Sequence, residues 1–188
     1  HTYIDRYADF HKAISITVNA KMRRTGICGA TETLLIDKEI CEKFLPPIAN
    51  ALKELGCSLY GDEKSQKILT EINSAKEEDW SKEYLSADLS IKVVDDIYEA
   101  IKHIAKYGTQ HTEAIITEDK ENAKTFTSMV DSAIVMINAS TQFADGGEFG
   151  LGAEIGIATG RLHARGPVGA NQLTSFKYVV HGSGQIRA

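Results

Sequence analysis

The sequence predicts an α/β fold built on a parallel β-sheet. Three short apolar stretches, LSIKVV, EAIIT and SAIVMIN (residues 89–94, 113–117 and 132–138), are each bounded by turn-forming residues. The segments between them carry the periodicity of amphipathic helices. Strands that are apolar throughout and alternate with helices are typical of a parallel sheet covered on both faces.

The two helices between these strands have recognisable starts. Asp95-Asp96 precedes a segment in which Ile97, Ile101 and Ile104 share one helical face, and Tyr107-Gly108 closes it. Glu118-Asp119 precedes a second segment that reaches Val130. Aspartate is a preferred helix N-cap, so we expect helices from these points.

The N-terminal third continues the alternation. Phe10, Ile14 and Val18 form one stripe and predict a helix over residues 8–21. Residues 31–36 are compatible with a β-strand. Asp37 then has the position of an N-cap for a long helix.

That long helix contains two features that disturb or end it. Its apolar residues recur every three to four positions, at Ile40, Phe44, Ile48, Leu52 and Leu55. Pro46-Pro47 lies inside it, so a kink or break is expected there. Gly56 is placed to end the helix.

The next stretch reads as a short strand, a polar helix and a loop. We expect the strand over residues 57–60 and the helix over residues 63–73. The acidic segment AKEEDWSKEY, residues 75–84, predicts a loop anchored by Trp80.

After Asn138 the sequence becomes rich in glycine and loses any clear period. Loops of that length in compact domains are usually functional or form interfaces. The chain closes with the β-rich segment TSFKYVVHG, residues 174–182. A terminal strand must pair with a neighbour, either within this chain or on a partner.

Composition excludes several classes of function. The chain has 188 residues and a net charge of -5, which gives no electrostatic case for binding nucleic acid or an anionic membrane surface. No apolar run approaches the roughly 20 residues that span a bilayer. Three cysteines, Cys28, Cys41 and Cys57, with no CxxC and no histidine at ligand spacing, suit a reducing cytosol and predict neither a disulfide framework nor a metal site.

Cys28, in the stretch RRTGICGATETLL, is the first candidate for chemistry. Gly26 and Gly29 allow a tight turn and close approach of a ligand. Arg23 and Arg24 would favour the thiolate, which is the nucleophilic form. A free cysteine is also commonly a small buried apolar residue. The residues alone leave both interpretations open.

The other two cysteines keep the packing interpretation, because Cys41 and Cys57 belong to amphipathic elements without flanking glycines. No histidine stands near Cys28 in sequence. A cysteine–histidine pair with His103, His111 or His163 would have to form in space.

Two further motifs are weaker. Gly150, Gly152 and Gly156 are out of register for GxGxxG and follow a polar loop, so packing is favoured over a dinucleotide fingerprint. Glu83 lies near Trp80 and Tyr84, which makes it a candidate for a positioned, partly buried carboxylate. Glu77 and Glu78 are interpreted as part of a solvated face.

Several stretches, in order along the whole chain, resemble the γ-glutamyl phosphate reductase family of the aldehyde dehydrogenase superfamily. They are NAKMRRTGICGATETLL, EEDWSKEYLSADLSIKVVDDIYEAIKHI, YGTQHTEAIITED, VDSAIVMINASTQFADGGEFGLGAEIGI and LHARGPVG followed by LTSFKYVVHGSGQIR. The longer blocks, such as FADGGEFGLGAEIGI, are highly specific.

The resemblance implies a cytoplasmic enzyme of proline biosynthesis. Such an enzyme reduces L-glutamyl 5-phosphate with NADPH to L-glutamate 5-semialdehyde and phosphate. Cys28 matches the family nucleophile, which would form a thioester. Its backbone N–H is a candidate oxyanion donor. No base glutamate that activates water is expected, since hydrolysis of the thioester would waste the substrate.

The resemblance also assigns residues around the nucleophile. Glu83 matches the glutamate that contacts the nicotinamide ribose, and Phe149 lies near the loop that closes on the active site. Asn19 lies where the family lines its active site. Arg23 and Arg24 are assigned by their chemistry to the substrate phosphate or carboxylate.

Family members are longer than this chain, which begins HTYIDRYADF without a methionine, so we expect a fragment. Residues 1–139 would form the catalytic domain, and residues 140–172 a glycine-rich segment returning toward an absent cofactor domain. Residues 173–188 would form a C-terminal oligomerisation strand that makes a homo-oligomer. The alternatives are a hydrolytic aldehyde dehydrogenase, or a module that is inactive without its cofactor domain.

Overall fold

The computed structural model describes residues 1–188, which form a seven-stranded sheet and a separate two-stranded hairpin. Every neighbouring pair in the large sheet is parallel. Its strands are β1 (Thr2–Ile4), β2 (Thr33–Asp37), β3 (Ser58–Gly61), β4 (Asn73–Ser74), β5 (Asp88–Val94), β6 (Thr112–Ile116) and β7 (Ile134–Ile137). The helices are α1 (Phe10–Met22), α2 (Cys41–Glu54), α3 (Glu63–Ile68), α4 (Ile97–Tyr107) and α5 (Lys120–Met129). The predicted parallel α/β fold is confirmed.

The sheet has the order β4-β3-β5-β2-β1-β6-β7 and is covered on both faces. Ile4 and Leu34 pack toward α1 and α2 in one apolar cluster. Their neighbours Tyr3 and Leu35 pack toward α4 and α5 in another. Successive residues of a strand point to opposite faces, so a sheet with two covered faces needs strands that are apolar throughout.

Aspartate side chains cap four of the five helices. Asp9, Asp62, Asp96 and Asp119 each accept a hydrogen bond from a first-turn backbone N–H, at 2.7–3.0 Å. The predicted starts at Asp96 and Asp119 are confirmed. The first helix begins at Phe10, two residues after the predicted start, because Asp9 is its cap.

Asp37 is not the cap of α2, which corrects the sequence prediction. It is the last residue of β2 and is fully buried, and its carboxylate accepts hydrogen bonds from Arg6 Nε at 2.9 Å and Glu39 N–H at 2.9 Å. Helix α2 starts at Cys41 after Ile40, which provides no side-chain cap. The Asp37 carboxylate instead forms an ion pair with the guanidinium group of Arg6.

The expected break at Pro46-Pro47 does not occur, since α2 is assigned as one helix over Cys41–Glu54. The two residues flanking the prolines toward the core, Leu45 and Ile48, are completely buried. Their burial offsets the lost backbone hydrogen bonds. Gly56 ends the helix as predicted, with φ +84°.

The polar helix predicted over residues 63–73 is shorter than expected. Helix α3 ends at Ile68, and Asn73 lies in the edge strand β4. The chain must turn there so that Ile72 can pack over Gly61, where an added Cβ would lie 2.3 Å from the Ile72 side chain. Trp80, 9% exposed within a 3-10 turn at Glu77–Ser81, anchors the following loop as predicted.

The glycine-rich region has more structure than its sequence suggests. A 3-10 turn at Thr141–Phe143 follows β7, and β8 (Gly156–Ala158) pairs antiparallel with β9 (Gly166–Val168). Residues 174–182 form no strand within the chain, so pairing with a partner stays a prediction. None of the five helices combines the length and the apolar character needed to cross a bilayer.

Candidate active site

Cys28 lies on the turn between α1 and β2, at the amino edge of the parallel sheet. It is exposed, whereas Cys41 and Cys57 are buried, which confirms the packing interpretation of those two. Gly29 permits the close approach that the sequence suggested, because a Cβ there would lie 3.1 Å from the carbonyl oxygen of Thr141. The displayed position favours the reactive interpretation of Cys28.

A buried ion pair closes the base of this turn. Lys21, fully buried at the end of α1, donates from Nζ to Glu32 Oε2 at 2.5 Å. Thr31 N–H donates to the carbonyl oxygen of Ala20 at 2.9 Å beside it. Both contacts join the segments that enter and leave the turn, so they fix where Cys28 is presented.

The segment after β7 folds back and holds the turn from the other side. Gln142 Nε2 donates to the carbonyl oxygens of Ala20, at 2.8 Å, and Arg24, at 3.1 Å. Thr141 Oγ1 is 2.9 Å from Thr31 Oγ1. Sequence reasoning missed these positioning residues. The polar run STQF gave no sign of a contact with residues more than a hundred positions earlier.

Four of the predicted site residues line one groove. Cys28, Asn19, Arg23 and Arg24 border a cavity of about 610 Å³ beside α1. The opposite wall comes from the segment after β7 and carries the carboxylates Asp145, Glu148 and Glu154. The structure therefore brings the nucleophile, a carboxamide and two arginines together in space.

Cys28 also borders a second, smaller cavity of about 60 Å³, which Glu83 lines as well. Glu83 is exposed and makes no hydrogen bond or ion pair within the chain, so the expected partial burial is wrong. Tyr84 instead turns toward Ser90, with its hydroxyl 2.9 Å from Ser90 Oγ. Phe149 borders neither cavity; its ring centroid lies 6.2 Å from that of Phe143, which lines the large groove.

The electrostatics of Cys28 differ from the sequence prediction. Its pKa is raised, first by partial burial and then by the carboxylates of Glu154 and Glu83. Arg23 and Arg24 are exposed, so water screens them and they do not reverse this shift. The expected lowering of the Cys28 pKa by the arginines is therefore wrong, and the thiol predominates at neutral pH.

The three histidines named from the sequence have separate environments. His111 and Cys28 both line the small cavity, but no hydrogen bond joins them, so the cysteine–histidine pair stays a prediction. His103 is buried between Trp80 and Tyr107, with ring centroids 5.5 and 4.6 Å away. His163 lies in the glycine-rich region, 3.2 Å from a backbone carbonyl.

The glycines of GEFGLGAEIG do not form a dinucleotide fingerprint. Gly150 and Gly152 have φ values of +72° and +83°, and Gly156 begins β8. No helix starts after them to present its N-terminus to a pyrophosphate. The structure agrees with the packing and turn interpretation of these residues.

Comparison with known proteins gives a consistent result. The chain is 61% identical over 187 residues to the gamma-glutamyl phosphate reductase of Hyphomonas neptunium, covering all of this chain and 44% of that relative. The crystal structure of gamma-glutamyl phosphate reductase from Thermotoga maritima superposes with a TM-score of 0.97 at 48% identity, covering 100% of this chain and 45% of that one.

A more distant structure shows the wider fold. An acetylating aldehyde dehydrogenase from Geobacillus thermoglucosidasius matches with a TM-score of 0.60 at 20% identity, over 78% of this chain and 41% of that one. No protein-family model matches the chain. The chain thus spans rather less than half the length of the relatives it matches. Along its whole length, its sequence and fold match the corresponding part of γ-glutamyl phosphate reductases.

Proposed function

We propose that this chain is the cysteine-bearing catalytic part of an NADPH-dependent reductase acting in proline biosynthesis in the cytoplasm. The reaction converts L-glutamyl 5-phosphate to L-glutamate 5-semialdehyde and phosphate. One observation carries the proposal. Cys28 stands exposed where two cavities meet, with arginines in the larger and Glu83 in the smaller.

The cysteine would act as a covalent nucleophile. Sγ of Cys28 attacks the acyl carbon, a thioester forms and phosphate leaves. The backbone N–H groups of Cys28 and Gly29 lie close enough to the sulfur to lower its pKa, and neither donates to another protein acceptor. They are therefore available to stabilise the oxyanion of the tetrahedral intermediate.

The groove beside α1 suits an anionic substrate. The guanidinium groups of Arg23 and Arg24 form no ion pair within the chain, which leaves both free for a phosphate or a carboxylate. The carboxamide of Asn19 faces the same groove and offers both a donor and an acceptor.

The cofactor contacts proposed for this chain are limited to one end of NADPH. Glu83 is an exposed carboxylate without a partner, which fits acceptance of hydrogen bonds from ribose hydroxyls. Phe149 is 39% exposed and offers an apolar face near the groove. When bound, the nicotinamide supplies the hydride that reduces the thioester. We propose that the remaining cofactor contacts come from a domain outside residues 1–139.

Hydrolysis of the thioester is the competing chemistry and would need a carboxylate that activates water. Glu154 and Glu83 are the two carboxylates whose charge raises the pKa of the Cys28 thiol. Glu154 already accepts the backbone N–H of Gly146 at 2.7 Å. Glu83 is assigned above to the ribose. Phosphate-dependent turnover would therefore be favoured over water-dependent oxidation of free aldehydes.

Residues 173–188 are proposed to make a homo-oligomer by pairing with a second subunit. Apolar side chains along this segment are exposed: Leu173, Phe176, Tyr178, Val179, Val180 and Ile186. Exposed apolar surface of this kind marks an interaction site. Residues 140–172 would connect this segment to the rest of the site.

Acetyl phosphate tests the proposed acyl transfer without a cofactor. Mixing it with the chain should release about one phosphate per Cys28 in a burst, and the Cys28→Ser variant should show none. Incubation with acetaldehyde, without phosphate, tests hydrolytic chemistry in parallel. A burst of equal size in Cys28→Ser would refute the role of the cysteine.

A further inference from the structure

His111 is placed at the amino edge of the sheet, immediately before β6. Its ring is half-buried, and Nδ1 is 2.7 Å from Thr112 Oγ1. Nε2 makes no hydrogen bond to any protein atom. One ring nitrogen is thus held by a neighbour, which orients the imidazole, and the other is free to exchange a proton.

The free side of this ring shares the small cavity with Cys28. The cavity has a volume of about 60 Å³, and a water needs on the order of 10–15 Å³ of such volume. The cavity therefore has room for a few waters that could connect the thiol with the imidazole. Both groups also respond electrostatically to Glu83 and Glu154, which places them in one local field.

The acyl transfer proposed above creates a need for a proton acceptor. Cys28 rests as a thiol, so its proton must leave before or during attack. Of the carboxylates that line the same cavity, Glu32 is bound to Lys21, Glu113 accepts hydrogen bonds from His1, and Glu83 is assigned above to the ribose. Burial lowers the pKa of His111, so its imidazole is neutral and able to accept a proton at pH 7.

We propose that Nε2 of His111 accepts the Cys28 thiol proton through the shared cavity and returns it to the departing phosphate. This inference rests on the proposed function. The S–C bond forms, the C–O bond to phosphate breaks, and the proton passes from sulfur to imidazole to hydrogen phosphate. Nothing is oxidised or reduced in this step. The role requires the tautomer in which Nδ1–H donates to Thr112 Oγ1.

Several charged groups face this imidazole and enter any pH profile. Those that act on His111 or line its cavity are Glu113, Glu83, Glu154, Glu32, Lys82, Tyr107, Cys28 and His1.

The pH dependence of Cys28 alkylation by iodoacetamide, followed peptide by peptide with mass spectrometry, tests the inference. His111→Gln should slow Cys28 alkylation at pH 7 by about tenfold and leave the limiting rate at high pH unchanged, because a neutral imidazole assists reaction of the thiol and not of the thiolate. Added imidazole should restore part of the rate in His111→Ala, which a purely structural role would not allow. An unchanged rate of Cys28 alkylation at pH 7 in His111→Gln would overturn the proposal.

Matched controls keep this readout specific. His11→Gln alters an exposed histidine on α1 that lines neither cavity and should leave the Cys28 curve unchanged. Alkylation of Cys41 and Cys57 reports loss of the fold in the same samples. If both His111 variants unfold, NMR titration of the unsubstituted chain decides instead. Carboxamidomethylation of Cys28 should move the His111 titration, and an unmoved titration contradicts the inference.

Acetyl phosphate separates this inference from the proposed function. If the unsubstituted chain releases phosphate and His111→Gln does so at least about 100-fold more slowly, both hold. If both chains release it equally fast, the histidine has no such role although the cysteine chemistry stands. If neither releases it, the proposed acyl transfer fails and the alkylation curves alone decide the coupling of His111 to Cys28.

Discussion

The two edges of the parallel sheet differ in whether their polar side chains have partners within the chain. At the carboxyl edge, Asp5 and Asp37 are buried and paired. Asp5 accepts hydrogen bonds from Thr117 Oγ1 at 2.6 Å and from Asn122 Nδ2 at 3.0 and 3.1 Å. Asp37 is held by Arg6. These groups satisfy one another within the fold.

At the amino edge the candidate site residues are exposed and unpaired. Asn19, Arg23, Arg24 and Glu83 form no side-chain hydrogen bond or ion pair within the chain, and Cys28 stands beside them. Ligands of open α/β sheets usually bind at the carboxyl ends of the strands. Here the unpaired polar side chains point to the amino edge instead, which is where we propose the site.

Loss of the nucleophile should give the largest effect. Cys28→Ser should lower the rate of phosphate release from acetyl phosphate by roughly 10⁴-fold or more, because no other group replaces the thiol. Its unfolding midpoint in urea should not change, since the side chain is exposed. Cys41→Ala is the matched control. Cys41→Ala should lower the urea midpoint and leave phosphate release unchanged. A Cys41→Ala chain that keeps its urea midpoint and loses phosphate release would contradict the comparison between the exposed edge and the core.

Removing one partner of the ion pair below the turn should come next. Lys21→Met leaves Glu32 without its partner and should lower the free energy of unfolding by about 3 kcal/mol. Lys12→Met removes an exposed pair with Glu118 and should cost less than about 1 kcal/mol. Urea titrations compare the two variants. Equal losses would show that the buried pair does not anchor the turn.

The paired edge should affect stability and leave the chemistry intact. Asp5→Asn replaces a carboxylate that accepts several hydrogen bonds and should cost about 2 kcal/mol in urea unfolding. The alkylation rate of Cys28 should stay the same, since the two lie at opposite edges. A slowed Cys28 with an unchanged urea midpoint would contradict this division of roles.

His103 offers the most pH-specific effect, which is absent at pH 7 and appears only below about pH 6.5. Burial lowers its pKa to about 3, and neither ring nitrogen has a hydrogen-bond partner. The unfolded chain takes up a proton below about pH 6.5, so His103 destabilises the fold by about 1.4 kcal/mol per pH unit as pH falls from 6.5 toward 3. His103→Phe should remove that dependence. Urea midpoints between pH 7 and 4 that fall equally steeply in both chains would contradict it.

The sequence predicted most of the fold because its signals are local. Apolar runs identified β5, β6 and β7, and Asp96 and Asp119 marked the helix starts correctly. The prediction of Asp37 as a helix cap was wrong because its carboxylate accepts a hydrogen bond from Arg6, which is distant in sequence. Local patterns cannot report such a competing partner.

The site was predicted less completely for the same reason. The glycines around Cys28 indicated a displayed turn, and the family resemblance supplied its role. Gln142 gave no sign in the sequence, and nothing in the sequence distinguished His111 from His103 and His163, since each reaches its neighbours only through the folded sheet. The raised pKa of Cys28 was also hidden, because Glu154 approaches from the glycine-rich segment.

The central claim is that the amino edge presents Cys28 to acyl phosphates. Acid-quenched reaction of the chain with acetyl phosphate, followed by peptide mass spectrometry, tests it most directly. The account predicts one acetyl group, held on Cys28 and removed by hydroxylamine as a thioester would be. An acetyl group found on Cys41, Cys57 or a lysine, with Cys28 unmodified, would contradict it.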